Sequence, residues 1–212
     1  YDSYYYSNGI VKITTIDAIC QNCGLIFQLH PKNQNHLNSY YSNKPLHNVN
    51  DPDYNMSNRL ALLKTFIDIG SRILEIGAGE GSFVREASKI RYNCFGFDPQ
   101  NSELPYEKNH GDQSYDCVVM NHVLEHIEEP IKYLTDLHPI LNPRGILILE
   151  VPDVHYYPSN SNGICHEHTF HFSWKTLTHL LIKANFKVLY SGYQFLSRES
   201  AITFVCEKQS SP

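Results

Sequence analysis

Ile73-Leu74-Glu75-Ile76-Gly77-Ala78-Gly79-Glu80-Gly81 is the stretch whose reading decides the fold. An apolar, partly β-branched run from Arg72 to Ile76 feeds three closely spaced glycines, and Ser82 to Ile90 continues as a helix. A strand that turns through glycine into a helix lets a ligand approach the backbone at the positive end of that helix. The dinucleotide fingerprint wants glycine at the first, third and sixth positions of such a turn. Here Gly81 is fifth and Ser82 sixth, so the turn reads Gly-x-Gly-x-Gly and fails that pattern. Asp98 lies 21 residues after Gly77, at the end of the next strand. A carboxylate there accepts hydrogen bonds from both ribose hydroxyls of a nucleoside.

Outward from this turn, strands and helices alternate. Upstream, Leu60, Leu63, Phe66 and Ile67 recur at helical spacing between Asn58 and Ile69. Downstream, Asn93 to Phe97 and Tyr115 to Met120 read as strands, and Pro130 to Leu141 as a helix preceded by Glu128 and Glu129, which suit a helix N-terminus. Asn142-Pro143-Arg144-Gly145 reads as a turn, and Ile146 to Val151 as a strand buried on both faces. Lys175 to Ala184 is a helix, and Phe186 to Gln194 and Ala201 to Glu207 close the chain as strands. The connection between those last two is too short for a parallel crossover, so the pair is antiparallel. The expected fold is α/β: a doubly wound, mostly parallel Rossmann-like sheet with an antiparallel last strand.

Composition narrows the function. The 212 residues carry 17 Lys+Arg against 22 Asp+Glu, a net charge of −5, with no basic cluster to neutralise a phosphate backbone. Nucleic acid is therefore not the expected partner. The most apolar stretch, Gly145 to Val151, is far shorter than the ~20 residues a bilayer needs, and the first ten residues do not read as a signal peptide. Cys94, Cys117 and Cys206 sit in apolar runs as small hydrophobes, so a cytoplasmic protein with reduced thiols is expected. The chain starts at Tyr1 rather than at methionine, and only 17 residues separate Asp98 from Asp116. A full doubly wound sheet places a helix, a strand and a helix in that interval, so either the region is trimmed or residues are absent from the chain as numbered, and absence is the favoured expectation.

With these motifs in hand, the chain resembles the class I S-adenosylmethionine-dependent methyltransferases over about residues 55–208. Glu75, Gly77, Gly79 and Gly81 match their first motif and Asp98 their second. Tyr115 to Met120 followed by Asn121-His122-Val123-Leu124-Glu125-His126-Ile127 is similar to their fourth. Leu141 to Gly145, with Pro152 beyond, matches the turn before the fifth strand. The resemblance implies that Gly77, Ala78 and Gly79 contact the methionine part of the cofactor and Asp98 its ribose. Glu75, Gly81 and Pro99 flank them, Asn121 and His122 sit beside the sulfonium, and Tyr41 (or Tyr40) closes over the cofactor. Glu125 and His126 orient the loop and cap the helix.

Cys20-Gln21-Asn22-Cys23-Gly24 is a further motif, half of a tetrahedral zinc site, with His30 and His36 as conceivable complements. Residues 1–36 are read as a zinc-ribbon-like segment, incomplete as it stands, 37–55 as a linker or lid, and 56–208 as the cofactor-binding domain. A cysteine knuckle before such a domain is similar to the zinc-containing sugar methyltransferases. Cys165-His166-Glu167-His168 resembles their Tyr-His-Glu-His segment, with cysteine in place of tyrosine. The resemblance implies methyl transfer to a hydroxyl of a sugar or sugar derivative for a surface polysaccharide, with His168 as base, His166 second and Glu167 in support. Carbon methylation of a nucleotide-linked sugar and a non-catalytic cofactor-binding scaffold are the alternatives. His138 and His179, on expected helices, are read as bystanders.

Overall fold

The computed structural model describes residues 2–6, 10–14, 16–31, 56–99, 114–157, 167–195 and 200–210. In chain order the strands and helices are β1 (Asp2–Tyr6), β2 (Ile10–Thr14), β3 (Asp17–Ile19), β4 (Ile26–Gln28), α1 (Met56–Phe66), β5 (Arg72–Ile76), α2 (Ser82–Lys89), β6 (Asn93–Phe97), β7 (Tyr115–Asn121), α3 (Pro130–Asp136), β8 (Leu141–Pro152), β9 (Phe170–His171), α4 (Trp174–Lys183), β10 (Phe186–Phe195) and β11 (Ser200–Lys208). Six strands form the central sheet in the order β10-β11-β8-β7-β5-β6. β6, β5, β7 and β8 run parallel, while β11 pairs antiparallel with both β8 and β10. The Rossmann-like fold with an antiparallel edge is therefore the one read from the sequence.

Strand alternation sorts the core into two layers. Ile73, Cys117, Val119, Ile148 and Val205 face Leu63 and Ile67 of the α1 region and Phe83, Val84 and Ala87 of α2. Their sequence neighbours Leu74, Val118, Leu147, Leu149, Phe204 and Cys206 face the other way, toward Leu134 of α3 and Leu177, Leu180 and Leu181 of α4. Side chains of successive strand residues point to opposite faces, and that alone produces a doubly covered sheet. Each buried Leu contributes about 1.5–3 kcal/mol. Burial pushes the thiols of Cys94 and Cys206 up to about 12, so these cysteines pack as small hydrophobes.

The expected turn at residues 142–145 lies inside β8, which starts at Leu141 rather than Ile146. The ladder partner jumps from Leu141 opposite Tyr115 to Ile146 opposite Cys117, so the four residues form a bulge rather than ending a strand. Asp116 holds it in place: its carboxylate accepts from Arg72 N at 2.9 Å and from Asn142 Nδ2 at 2.6 Å. The helix expected to run to Leu141 ends at Asp136, and a 3₁₀ turn at His138–Ile140 leads into β8.

A second, three-stranded sheet has the order β3-β4-β9. β3 and β4 are the arms of the cysteine hairpin, and β4 pairs with β9 through Ile26 opposite His171 and Phe27 opposite Phe170. The hairpin is thus stitched to the segment that carries Glu167 and His168. The interval 100–113 and the segment 37–55 lie outside the described residues.

Candidate functional site at the carboxyl end of the sheet

The glycine turn sits where β5 ends, and its backbone is pinned to the end of β6. Gly77 and Ala78 both donate to Phe97 O, at 2.8 and 3.1 Å, and Gly79 N donates to Asp98 Oδ2 at 2.9 Å. Gly77, Gly79 and Gly81 have φ of 73°, 52° and 74°, the left-handed region that disfavours a Cβ. Gly77 is required on a second count, because a Cβ there would meet Val123 Cγ2 at 2.3 Å. Above Gly79 a Cβ would meet nothing within 4 Å, so the turn keeps open space on that side. Ala78 and Gly81 are buried, Asp98 is half-buried, and Pro99 is exposed beyond it.

Behind the turn lie buried charges. Glu75 is 3% exposed, and burial pushes its carboxyl up to about 8 against the opposing pull of Arg59 and of a hydrogen bond from Asn121. Asn121 Nδ2 donates to Glu75 Oε1 at 3.4 Å, whereas Glu75 Oε2 is buried with no hydrogen-bond partner among the described residues. Immediately after β7, His122 adopts φ 53°, an uncommon left-handed conformation for histidine, and its N–H donates to Glu150 O at 2.9 Å. Its Nε2 stands 3.2 Å from Glu150 Oε1, and Arg59 Nη2 reaches the same oxygen at 2.5 Å. Burial raises the Glu150 carboxyl, but the hydrogen bond from His122 and the Arg59 charge outweigh it and hold the group at about 2. Thr203 Oγ1 donates to Glu150 Oε2 at 3.2 Å.

The 3₁₀ turn Leu124–His126 follows, with Glu125 only 1% exposed. His126 Nδ1 lies 2.9 Å from Glu167 O, and the His126 and His168 rings meet edge to face at 5.0 Å between centroids. His168 is half-buried and Glu167 buried; His171 stands 6.0 Å from His168 and 3.5 Å from Asp17 Oδ1 of the cysteine hairpin. The structure thus gathers Glu75, the glycines, Asp98, Asn121 and His122 at one end of the sheet, with His168 close to His126. Tyr40, Tyr41, Cys165 and His166 lie outside the described residues. His138 donates to Ala184 O at 2.9 Å, and His179 is exposed on α4.

Arg59 and Glu150 were not read from the sequence as site residues. Glu150 carries a signal: a carboxylate inside an apolar strand run must find a partner when buried. Arg59 carries none, because its partner lies 91 positions away. In the cysteine turn, Cys20 N donates to Leu25 O at 2.8 Å and Gly24 N to Cys20 O at 2.9 Å, with Gly24 at φ 80°. Hydrogen bonds from the backbone of Cys23 and Asn22, and from the Cys23 thiol, lower the Cys20 thiol pKa.

A family model described as a methyltransferase domain matches residues 31–191. The chain is similar to a ubiquinone biosynthesis O-methyltransferase of Cereibacter sphaeroides, with 27% identity over an alignment of 99 positions that covers 37% of this chain and 40% of that protein. A ubiquinone biosynthesis O-methyltransferase of Ruegeria pomeroyi gives the same figures, so the chain spans about 40% of the length of these curated relatives. Among solved structures, it is similar to a Burkholderia thailandensis 1,6-didemethyltoxoflavin-N1-methyltransferase with bound S-adenosylhomocysteine, at TM-score 0.68 and 16% identity, covering 90% of this chain and 98% of that one. A magnesium protoporphyrin IX methyltransferase from Synechocystis PCC 6803 gives TM-score 0.61 at 13% identity, covering 84% and 100%. No helix among the described residues is long and apolar enough to cross a membrane.

Proposed function

The chain belongs to the methyltransferase-domain family, and on that premise we propose that it transfers a methyl group from S-adenosylmethionine to a hydroxyl of a small polar acceptor. The residues fit the cofactor. Open space over Gly79, the Asp98 carboxylate at its edge and a buried Glu75 oxygen that no hydrogen bond reaches among the described residues are the features of a cradle for a cationic amino acid joined to a nucleoside. When bound, S-adenosylmethionine supplies a methyl already activated by positive sulfur. Gly77, Ala78 and Gly79 hold its amino-acid end, Asp98 its ribose, and Asn121 and His122 border the sulfonium. Glu75, Gly81 and Pro99 shape the surrounding turn, and Tyr41 is assigned to the lid.

The chain's own task is alignment and proton removal. Holding two reactants in line contributes ~7–11 kcal/mol, and a positioned base ~10²–10⁴-fold. We assign proton acceptance to His168, with His166 second and Glu167 in support. His168 is supported by its half-buried place beside His126 on the segment fixed by β9.

The acceptor we propose is a sugar or sugar derivative of a surface polysaccharide, and the protein is assigned to the cytoplasm. That choice is supported by the Cys165-His166-Glu167-His168 segment and by the cysteine knuckle. An acceptor in ubiquinone biosynthesis, suggested by the names of the relatives, is the competitor. The lowered Cys20 thiol and the tight turn suit a thiolate pair for zinc. Among the described residues no third ligand group joins Cys20 and Cys23, so no step of the reaction is derived through that metal.

The observation that carries the proposal is the left-handed glycine turn braced on Phe97 and Asp98. Calorimetry with S-adenosylmethionine and S-adenosylhomocysteine tests it: binding of both, with NAD inert, is expected, and NAD binding alone would overturn it. Mass spectrometry after incubation with nucleotide sugars and ubiquinone precursors then chooses the acceptor and the methylated atom.

A further inference from the structure

We propose that Glu125, His126 and His168 bind one divalent transition-metal cation, whose remaining positions take an oxygen of the methyl acceptor. The inference deepens the methyl-transfer reading of the same site and rests on it for the acceptor, though not for the metal itself.

One ligand atom from each of the three residues lies within 4.8 Å of the other two. Both Glu125 carboxylate oxygens are buried and make no hydrogen bond among the described residues. Among the described residues their nearest basic nitrogens are His122 Nδ1 at 3.7 Å and His126 Nε2 at 3.8 Å from Oε1, beyond hydrogen-bond reach. A buried carboxylate left in that state is costly, and a cation at its face removes the cost.

The tautomer of His126 supports the same conclusion. Glu167 O can only accept, so the 2.9 Å bond puts a proton on His126 Nδ1, and in the neutral ring the lone pair is then on Nε2, facing Glu125. A backbone carbonyl on the far nitrogen is the usual outer support of a metal-ligating histidine. Bonds of ~2.1 Å put tetrahedral ligands roughly 3.4 Å apart, so small rotations close the cluster. The ligands also arise from two separately fixed elements: the 3₁₀ turn after β7, and the segment that enters β9.

Two imidazoles and one carboxylate leave coordination positions open and suit zinc-like ions better than magnesium or calcium. An acceptor hydroxyl on such a cation loses its proton to solvent at a lower pH, much as bound water falls from ~15.7 to ~7. The freed oxygen pair forms the bond to the methyl carbon, and the breaking carbon–sulfur pair stays on sulfur. This replaces the proton-accepting role assigned to His168 above: the ring serves the reaction as a ligand, and the cation activates the hydroxyl.

Cobalt(II) titration of the metal-stripped full chain carrying Cys20→Ser and Cys23→Ser tests the site. A visible d–d band that saturates at one equivalent is expected, without near-ultraviolet thiolate charge transfer. The band should weaken at least ~100-fold in affinity in Glu125→Gln and in His168→Ala, since even loss of an outer-shell partner costs ~10–100-fold. Glu125→Gln removes a buried carboxylate that has no hydrogen bond among the described residues and is expected to fold at least as well as the parent, as its melting curve will show. No band at millimolar cobalt, a band unmoved by both substitutions, or full methyl transfer after chelation would overturn the proposal. S-Adenosylhomocysteine binding is measured on the same samples; its absence would sink the cofactor reading while leaving the cobalt result to stand.

Discussion

At the amino end of β5, β7 and β8, the Asp116 carboxylate receives Arg72 N on one oxygen side and Asn142 Nδ2 on the other. At the carboxyl end of the same strands, Glu75 and Glu125 are buried with oxygens that no hydrogen bond reaches among the described residues, and Glu150 is held by Arg59 and His122. The backbone follows the same division just past β7, where His122 takes a left-handed conformation. The amino end is closed on itself, whereas the carboxyl end keeps unspent electrostatic and conformational strain. Proteins break local rules of this kind at functional sites.

The largest test of this contrast removes one cation. Arg59→Ala leaves the Glu150 carboxylate without its closest cationic partner and is expected to lose about 3–5 kcal/mol in urea unfolding. Asp116→Ala at the amino end should lose only about 1–3 kcal/mol. Equal losses would erase the distinction between the ends.

Proton linkage gives the next test. Glu75 has its folded-state carboxyl raised to about 8, so the folded chain holds a proton that the unfolded chain releases above about 4.5. Stability from this group therefore falls as pH rises from about 4.5 to 8. Glu75→Gln should gain about 2–4 kcal/mol at pH 8 in the cofactor-free protein and nothing below about pH 4.5. Glu150 has the opposite sign: its depressed carboxyl contributes stability above about 4.5 that is lost as pH falls toward 2. Melting curves of both Gln variants across pH check the two windows.

Gly77→Ala sharpens the comparison at the backbone level. A Cβ at 2.3 Å from Val123 and an unfavourable φ should lower stability by about 1–3 kcal/mol and abolish S-adenosylmethionine binding by calorimetry. Gly70→Ala, at φ 94° with open space around it, should cost about 1–2 kcal/mol and leave binding intact. Asp98→Asn is expected to keep the fold and weaken cofactor binding by about 10–100-fold, equivalent to ~1.4–2.8 kcal/mol. The smallest effect is Arg144→Ala: its ion pair with Glu207 has the arginine 82% exposed, and its loss should stay within about 0.5 kcal/mol.

What the sequence disclosed is what local periodicity encodes. The strand, glycine turn and helix around Gly77, the acid at Asp98 and the antiparallel last pair all follow from spacings of a few residues. Pro143 and Gly145 misled for the same reason, because punctuation marks a turn but not whether the ladder resumes beyond it. The clamp from Asp116 to Asn142 spans 26 positions and leaves no local trace. The two-residue β9 is shorter than any period can reveal, and Arg59 meets Glu150 only after the sheet has formed.

That short strand also dictates how the chain can be cut. The family match begins at residue 31, yet the β4 backbone that partners Phe170 and His171 comes before that border. A trimmed version starting there would strip a neighbour from an edge only a few residues from His168, so any chimaera that swaps this fold must carry Asp17 to Gln28 along with it.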